Sequence, residues 1–364
     1  MTSFSVKSVP FNQALSTLLP VIPTAKNARD ICKSFCFSVC QNPDRLILRA
    51  TDLEMFCSLT LDDGVMVESK GEFLAPAQTI VDFSRSVTDI EFRFVVEENG
   101  VIQLRTSDST FEVGSQDLEE FPPFPEMPEG TVFEVEPEAF QEALEKVAFA
   151  VGDKHHPKYN FTAVCFSFAD GVLSLVGSDS RRASVAALPL AGPPLQRQVL
   201  LSLKALEEIP KLFSQTFRLV VGQFAVVAVF KENYLHLPII NGAFPSVKDF
   251  LPKHPHAFSF DATQMLHYVK KACLAVDSQN TLRVSFGKTG ISFSARTKEQ
   301  RKAAQVSLEI PYQGPDFEFA VNGQHLIEVL KASKGEVSLQ FNPDGGPLLF
   351  QQDSFQHLMV PMEV

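Results

Sequence analysis

A weak threefold internal repeat constrains this chain more than any other feature. Segments 11–22 (FNQALSTLLPVI), 140–151 (FQEALEKVAFAV) and 265–276 (MLHYVKKACLAV) each read as an amphipathic helix. In the second, Phe140, Ala143, Leu144, Val147, Ala148 and Val151 recur at helical spacing, while Glu142, Glu145 and Lys146 take the other side. After each helix come two short alternating segments: FCFSV with LILRATD, VCFSF with LSLVGSD, and LRVSF with ISFSART. The intervening QNPDR, ADGV and GKTG carry the residues of tight hairpin turns. A second helix follows in every copy, at 76–87, 202–213 and 322–333, and then a further run of strands. Pro210, late in the middle one, predicts a stop or kink there. Strand, helix, three strands, helix and more strands, repeated every 120–130 residues or so, describe an α+β fold. Each unit packs two helices on antiparallel sheet. Proline-rich stretches at 119–130 and 241–257 lie between copies, so the expected domains are 1–129, 130–254 and 255–364.

Composition narrows the function. Thirty-three Phe against four Tyr and no Trp predict cores built from rings without polar tips. A net charge of −11 excludes an all-over basic coat but leaves room for a local basic stripe. The opening MTSFSVKSVPFNQAL holds no apolar stretch of signal-peptide length, and no run reaches membrane-spanning length. The expectation is a cytoplasmic protein with no membrane partner. Cys32, Cys36 and Cys40 are spaced by four, as metal ligands on one helix face would be. Phe35-Cys36-Phe37-Ser38-Val39 alternates like a strand, however, which points to reduced, buried thiols instead.

A search for catalytic chemistry finds little. GxGxxG, GxxxxGK[ST], HExxH, GxSxG and paired CxxC are all absent. His155-His156 has no third ligand at useful spacing and reads as a polar loop pair. Asp52 and Asp179 stand at strand ends, where single carboxylates are common. The expectation is a non-catalytic protein without cofactor or metal. An enzyme using His155, His156 and Asp179 is the alternative from another class.

Three pieces carry a more specific signal: Ala50-Thr51-Asp52-Leu53-Glu54-Met55, Phe244-Pro245 followed by Phe250-Leu251-Pro252-Lys253, and Val360-Pro361-Met362 near the apolar end. Together with the triplication, and over the whole chain, they resemble the bacterial sliding clamp, the β subunit of DNA polymerase III. The resemblance implies three clamp domains per chain and a head-to-tail homodimeric ring around duplex DNA. It implies no enzymatic activity, and a tether for the polymerase alpha subunit, the clamp loader and repair polymerases through linear peptides. Carried over by position, the peptide pocket comprises Phe161, Ser178, Ser180, Arg181, Arg182, Ala183, Val185, Pro245, Asp249 and Phe250. The terminal strip adds Leu358, Met359, Val360, Pro361 and Met362. DNA-side positions are Lys26, Lys158, Tyr159, Lys204, Lys270 and Lys271. Ring closure falls to Phe111 and Val113 on an edge strand and to Cys273 and Leu274 at a helix end. The segment Ser178-Asp179-Ser180-Arg181-Arg182-Ala183 departs from the family's T-D-G-H-R-L, and Asp249 stands where a basic residue is common. Both departures imply an altered peptide preference. A scaffold of the same fold that no longer loads on DNA is the competing reading.

Overall fold

A computed structural model of the protein describes residues 1–154, 156–246, 251–297 and 301–363. Seven α-helices occur among them: α1 (Ser8–Leu18), α2 (Ala77–Ser86), α3 (Pro137–Ala148), α4 (Leu203–Leu206), α5 (Ile209–Leu212), α6 (Ala262–Ala272) and α7 (Gly323–Ala332). Each expected helix is present, with shifted ends. The segment expected at 202–213 divides into α4 and α5 just before Pro210, the interruption expected there, and Pro210 sits in the first turn of α5. In a first turn the missing proline N–H costs nothing, because that group has no helical acceptor. Asp261 and Asn322 cap α6 and α7 by accepting backbone N–H bonds.

The three hairpins also form. Ser34–Cys40 pairs with Arg45–Thr51, Val164–Ala169 with Val172–Ser178, and Thr281–Gly287 with Gly290–Thr297, all antiparallel. The strand Ser34–Cys40 sets Cys36 and Cys40 about 13 Å apart along its length. Cys32 lies before it in a short turn, Asp30–Lys33. Burial pushes the Cys36 thiol up to about 11 and the Cys165 thiol up to about 12. Among the described residues no group of three or more His, Cys, Asp or Glu is placed to hold a metal. None of the described helices is long and apolar enough to cross a membrane.

The repeat and the packing do not coincide. The chain forms two compact units, Met1–Pro137 with Lys204–Ile239, and Glu138–Leu203 with Ile240 onward. In the first, an eight-stranded sheet joins strands of the first copy to those of the middle copy. The contact strand is Asn233–Pro238, which pairs with Phe56–Leu61 through Leu235 and Cys57. In the second, Phe355–Met359 pairs with Arg182–Pro189, so the last strand of the third copy closes the edge of the middle one. A bare strand edge is an aggregation hazard, and pairing removes it.

Phenylalanine fills both interiors. In the first unit Phe4 stacks on Phe94 and Phe37 on Phe73, each at 4.7 Å, and Phe11 of α1 meets Phe92 and Phe94 edge-on at 5.6 Å. In the second, Phe341 stacks on Phe317 at 4.5 Å, beside Phe286 and Phe319. Phe37 is fully buried. Phe37→Ala should therefore lower stability by about 3–5 kcal/mol, as cavity-forming aromatic truncations do. A urea titration should show this as an earlier transition of the first unit, with the second unchanged.

Candidate partner-binding site

A tight turn sets the site. Strand Val172–Ser178 enters strand Arg182–Pro189 through Asp179, Ser180 and Arg181. Ser180 takes φ +76°, the left-handed conformation that favours glycine. The Ser178 hydroxyl donates to the Arg182 carbonyl at 2.8 Å. Asp179 Oδ1 accepts from the backbone N–H groups of Arg181 and Arg182 at 2.9 and 3.0 Å. Its other oxygen receives Arg182 Nε at 2.9 Å. The same guanidinium pairs with Glu328 of α7 and donates to the Phe149 carbonyl. Arg182 is only 8 % exposed, so its charge is stable there only because both carboxylates answer it. Gly177, just upstream, lets the strand pass α3: a Cβ there would lie 2.4 Å from the Val147 carbonyl oxygen.

Beside the turn is a cavity of about 270 Å³. One wall is aromatic. His156 stacks on Tyr159 at 5.8 Å, both rings approach Phe161, and Phe161 meets Phe244 edge-on at 5.5 Å. His156 Nδ1 accepts the backbone N–H groups of Lys158 and Tyr159, which holds that loop in place. Leu358 and Val360 line the opposite side with Ala183 and Pro245. The strip is latched to the turn, since the Val360 N–H donates to the Arg181 carbonyl at 2.9 Å.

The cavity gathers Phe161, Ser178, Ser180, Arg181, Arg182, Ala183, Pro245, Leu358 and Val360. Four expected members do not line it. Met359 is 1 % exposed and packs into the second unit's core, because strand alternation turns it away from Leu358 and Val360. Val185 is buried with Cys165, Val176 and Leu200 behind the wall. Pro361 and Met362 run past the cavity, the latter donating its N–H to the Ala320 carbonyl at 2.7 Å. Asp249 and Phe250, like His155, lie outside the described residues. Sequence reasoning missed His156 as a wall residue, and Tyr159, expected on the DNA side, lines the cavity. The cluster of rings in His156-Pro157-Lys158-Tyr159-Asn160-Phe161 was the available signal.

Comparison with known proteins now bears on this site. Residues 2–125, 134–246 and 248–363 match, in order, the N-terminal, central and C-terminal domains of the DNA polymerase III beta subunit. The chain belongs to the DNA polymerase III beta subunit family. A Beta sliding clamp of Chlamydia pneumoniae is 23 % identical over 328 residues, covering 88 % of each chain. The crystal structure of a DNA polymerase sliding clamp from Bacillus subtilis matches with a TM-score of 0.92 at 15 % identity, over 100 % of this chain and 99 % of that one. A Pseudomonas aeruginosa sliding clamp solved bound to griselimycin matches with a TM-score of 0.90 at 19 % identity, over the full length of both.

As a member of this family the chain is built of three clamp domains and is not a catalytic subunit. The carboxylates considered for catalysis have other work. Asp52 Oδ1 accepts the N–H groups of Glu54 and Met55 at 3.0 Å each, as Asp179 does in its own turn. Asp52 also pairs with Lys204. Lys26, Lys158, Lys270 and Lys271 are exposed. Lys158 lies over the Tyr159 ring at 4.8 Å, at the cavity rim. Phe111 is 42 % exposed on the edge strand Thr110–Gly114 and stacks on Phe83 at 5.6 Å, with Val113 half-buried beside it. Leu274 is 78 % exposed after α6, and Cys273 is half-buried.

Histidines beneath the cavity make it sensitive to acid. Burial holds His357 well below the ordinary histidine range, and the nearby Arg182 and His325 charges add to this. His357 shares a 2.7 Å hydrogen bond with the Ser184 hydroxyl. Burial also lowers His325, followed by the Arg182 charge, against the opposing pull of Asp179 and Glu328. Unfolding raises both toward about 6.5, so the unfolded state binds more protons as pH falls through that value. Stability is full above about pH 6.5 and lost below it, by about 1.4 kcal/mol per pH unit per proton. Melting of the second unit should drop between pH 7 and 5, and His357→Gln should flatten that slope.

Proposed function

We propose that the chain is one subunit of a DNA-encircling sliding clamp, a homodimer that tethers the replicative polymerase to duplex DNA in the cytoplasm. The observation that carries this reading is the run of three consecutive beta-subunit domains from residue 2 to residue 363. Six cysteines without disulfides suit a reducing compartment. Lys26, Lys270 and Lys271 supply sequence-blind attraction to phosphate, joined by Lys204 when it leaves Asp52. Lys158 and Tyr159 belong to the pocket rim. The cavity receives linear peptides of the polymerase alpha subunit, the clamp loader and repair polymerases. The likeness to a clamp bound to griselimycin is consistent with a ligand site in this fold. The domains end near 129 and 254.

One feature favours a scaffold that does not load on DNA: α3 exposes Glu138, Glu142 and Glu145. Loading on nicked circular DNA with a clamp loader and ATP separates the two readings. A clamp stays on the circle through gel filtration and runs off when the DNA is cut; a scaffold is never retained. Lys26→Glu with Lys270→Glu and Lys271→Glu should weaken DNA contact at low salt and leave the melting temperature unchanged. Equal DNA affinity of this variant and the parent chain would remove these lysines from the interface.

The ring needs the edge strand at Thr110–Gly114 to meet a second copy. Sedimentation should give about twice 40.3 kDa. Phe111→Asp would bury an unpaired carboxylate at that contact. The variant should sediment as a folded monomer at micromolar concentration; a persisting dimer would move the interface elsewhere.

A further inference from the structure

The open cavity of the second unit has a closed counterpart in the first. Both grow from the same turn. Thr51 Oγ1 donates to the Met55 carbonyl at 2.7 Å, as Ser178 does to Arg182, and Leu53 takes φ +75° where Ser180 takes +76°. The next residue is Phe56 in one copy and Ala183 in the other. Phe56 pairs across the sheet with His236, and Ala183 with Leu358. In the first unit the Phe56 ring meets Phe124 edge-on at 5.4 Å and His236 at 5.9 Å. Phe124 stacks on Phe121 at 6.1 Å. Both come from the connector Glu119-Glu120-Phe121-Pro122-Pro123-Phe124-Pro125-Glu126. The second connector contributes Phe244-Pro245, and with Ala183 in place of a ring the described residues leave a cavity at the equivalent place.

Charge adds to shape. Of the cations at the open cavity, Arg182 is engaged by Asp179 and Glu328. Arg181 is exposed and makes no ion pair among the described residues, and Lys158 caps the Tyr159 ring. The segment that fills the closed counterpart is flanked by Glu119, Glu120 and Glu126.

We propose that the occupant of this cavity is an extended acidic–aromatic segment of a partner protein. Its Phe takes the place that Phe56 and Phe124 fill in the first unit, and its Asp or Glu faces Arg181 and Lys158. The chain's own connector is thus a template for its ligand. This rests on the peptide-pocket reading above and gives that pocket its ligand class.

The test titrates the full chain with a fluorescently labelled peptide of sequence LEEFPPFPE, read by anisotropy. A second probe is an apolar peptide without acids, ending in Leu-Phe. LEEFPPFPE should bind, and replacing both Phe by Ala should weaken it at least thirtyfold. Replacing its Glu by Gln should weaken it about tenfold, and rising salt should do the same. Ala183→Phe, which installs the first unit's ring, should weaken binding at least tenfold without lowering the melting temperature. Arg181→Glu, an exposed change that spares the fold, should weaken it about tenfold. If only the apolar peptide binds and responds to Ala183→Phe, the acidic–aromatic class is overturned while the pocket stands. Equal binding of the Glu and Gln peptides also overturns it. If neither peptide responds to Ala183→Phe, the pocket reading falls as well.

Discussion

The cavity depends on one constraint: a strand edge left bare by one repeat is closed by the last strand of the next. Asn233–Pro238 does this for the first copy and Phe355–Met359 for the second. The pairing of Ala183 with Leu358 brings the end of the chain beside a turn more than 170 residues earlier in sequence. A greasy terminal strip thereby becomes a cavity wall. Its alternation then divides the labour: His357 and Met359 face the core, and Leu358 and Val360 face the opening.

The turn itself is held by charge that has nowhere else to go. Asp179 spends one oxygen on two backbone N–H groups and the other on Arg182. Glu328, from a helix of the third copy, completes the neutralisation. A buried ion group of this kind adds little net stability against an apolar replacement, yet removing one member is costly. Its consequence here is geometric. Arg182 is fixed under the cavity, which leaves Arg181 as the exposed charge of the turn.

The two copies of the turn differ in the side chain that follows them, Phe56 in one and Ala183 in the other. With Phe56 the space beside the turn is filled, the half-buried ring packing against Phe124 and His236. With Ala183 it is a cavity. The turn takes the same left-handed step in both, φ +75° at Leu53 and +76° at Ser180. The cavity therefore comes from a small side chain beside the turn.

Much of this was legible in the sequence. The helical period of 140–151 and the hairpin signals at ADGV and GKTG rest on local geometry, so the elements they announce are present. Leu358 and Val360 of the apolar strip, with Pro245, likewise line the cavity. What stayed hidden depended on partners distant in sequence. Met359 and Leu358 are equally apolar, and only the register against Arg182 and Ala183 decides which one enters the core. Asp52 and Asp179 look like candidate acids until the turn shows their oxygens already occupied. By itself the sequence determined the repeat, the elements and the phenylalanine cores, because period and composition act locally. Only the tertiary structure decided which strand closes which edge, and so where the cavity lies, because cross-strand pairing selects among faces that a linear pattern leaves equivalent.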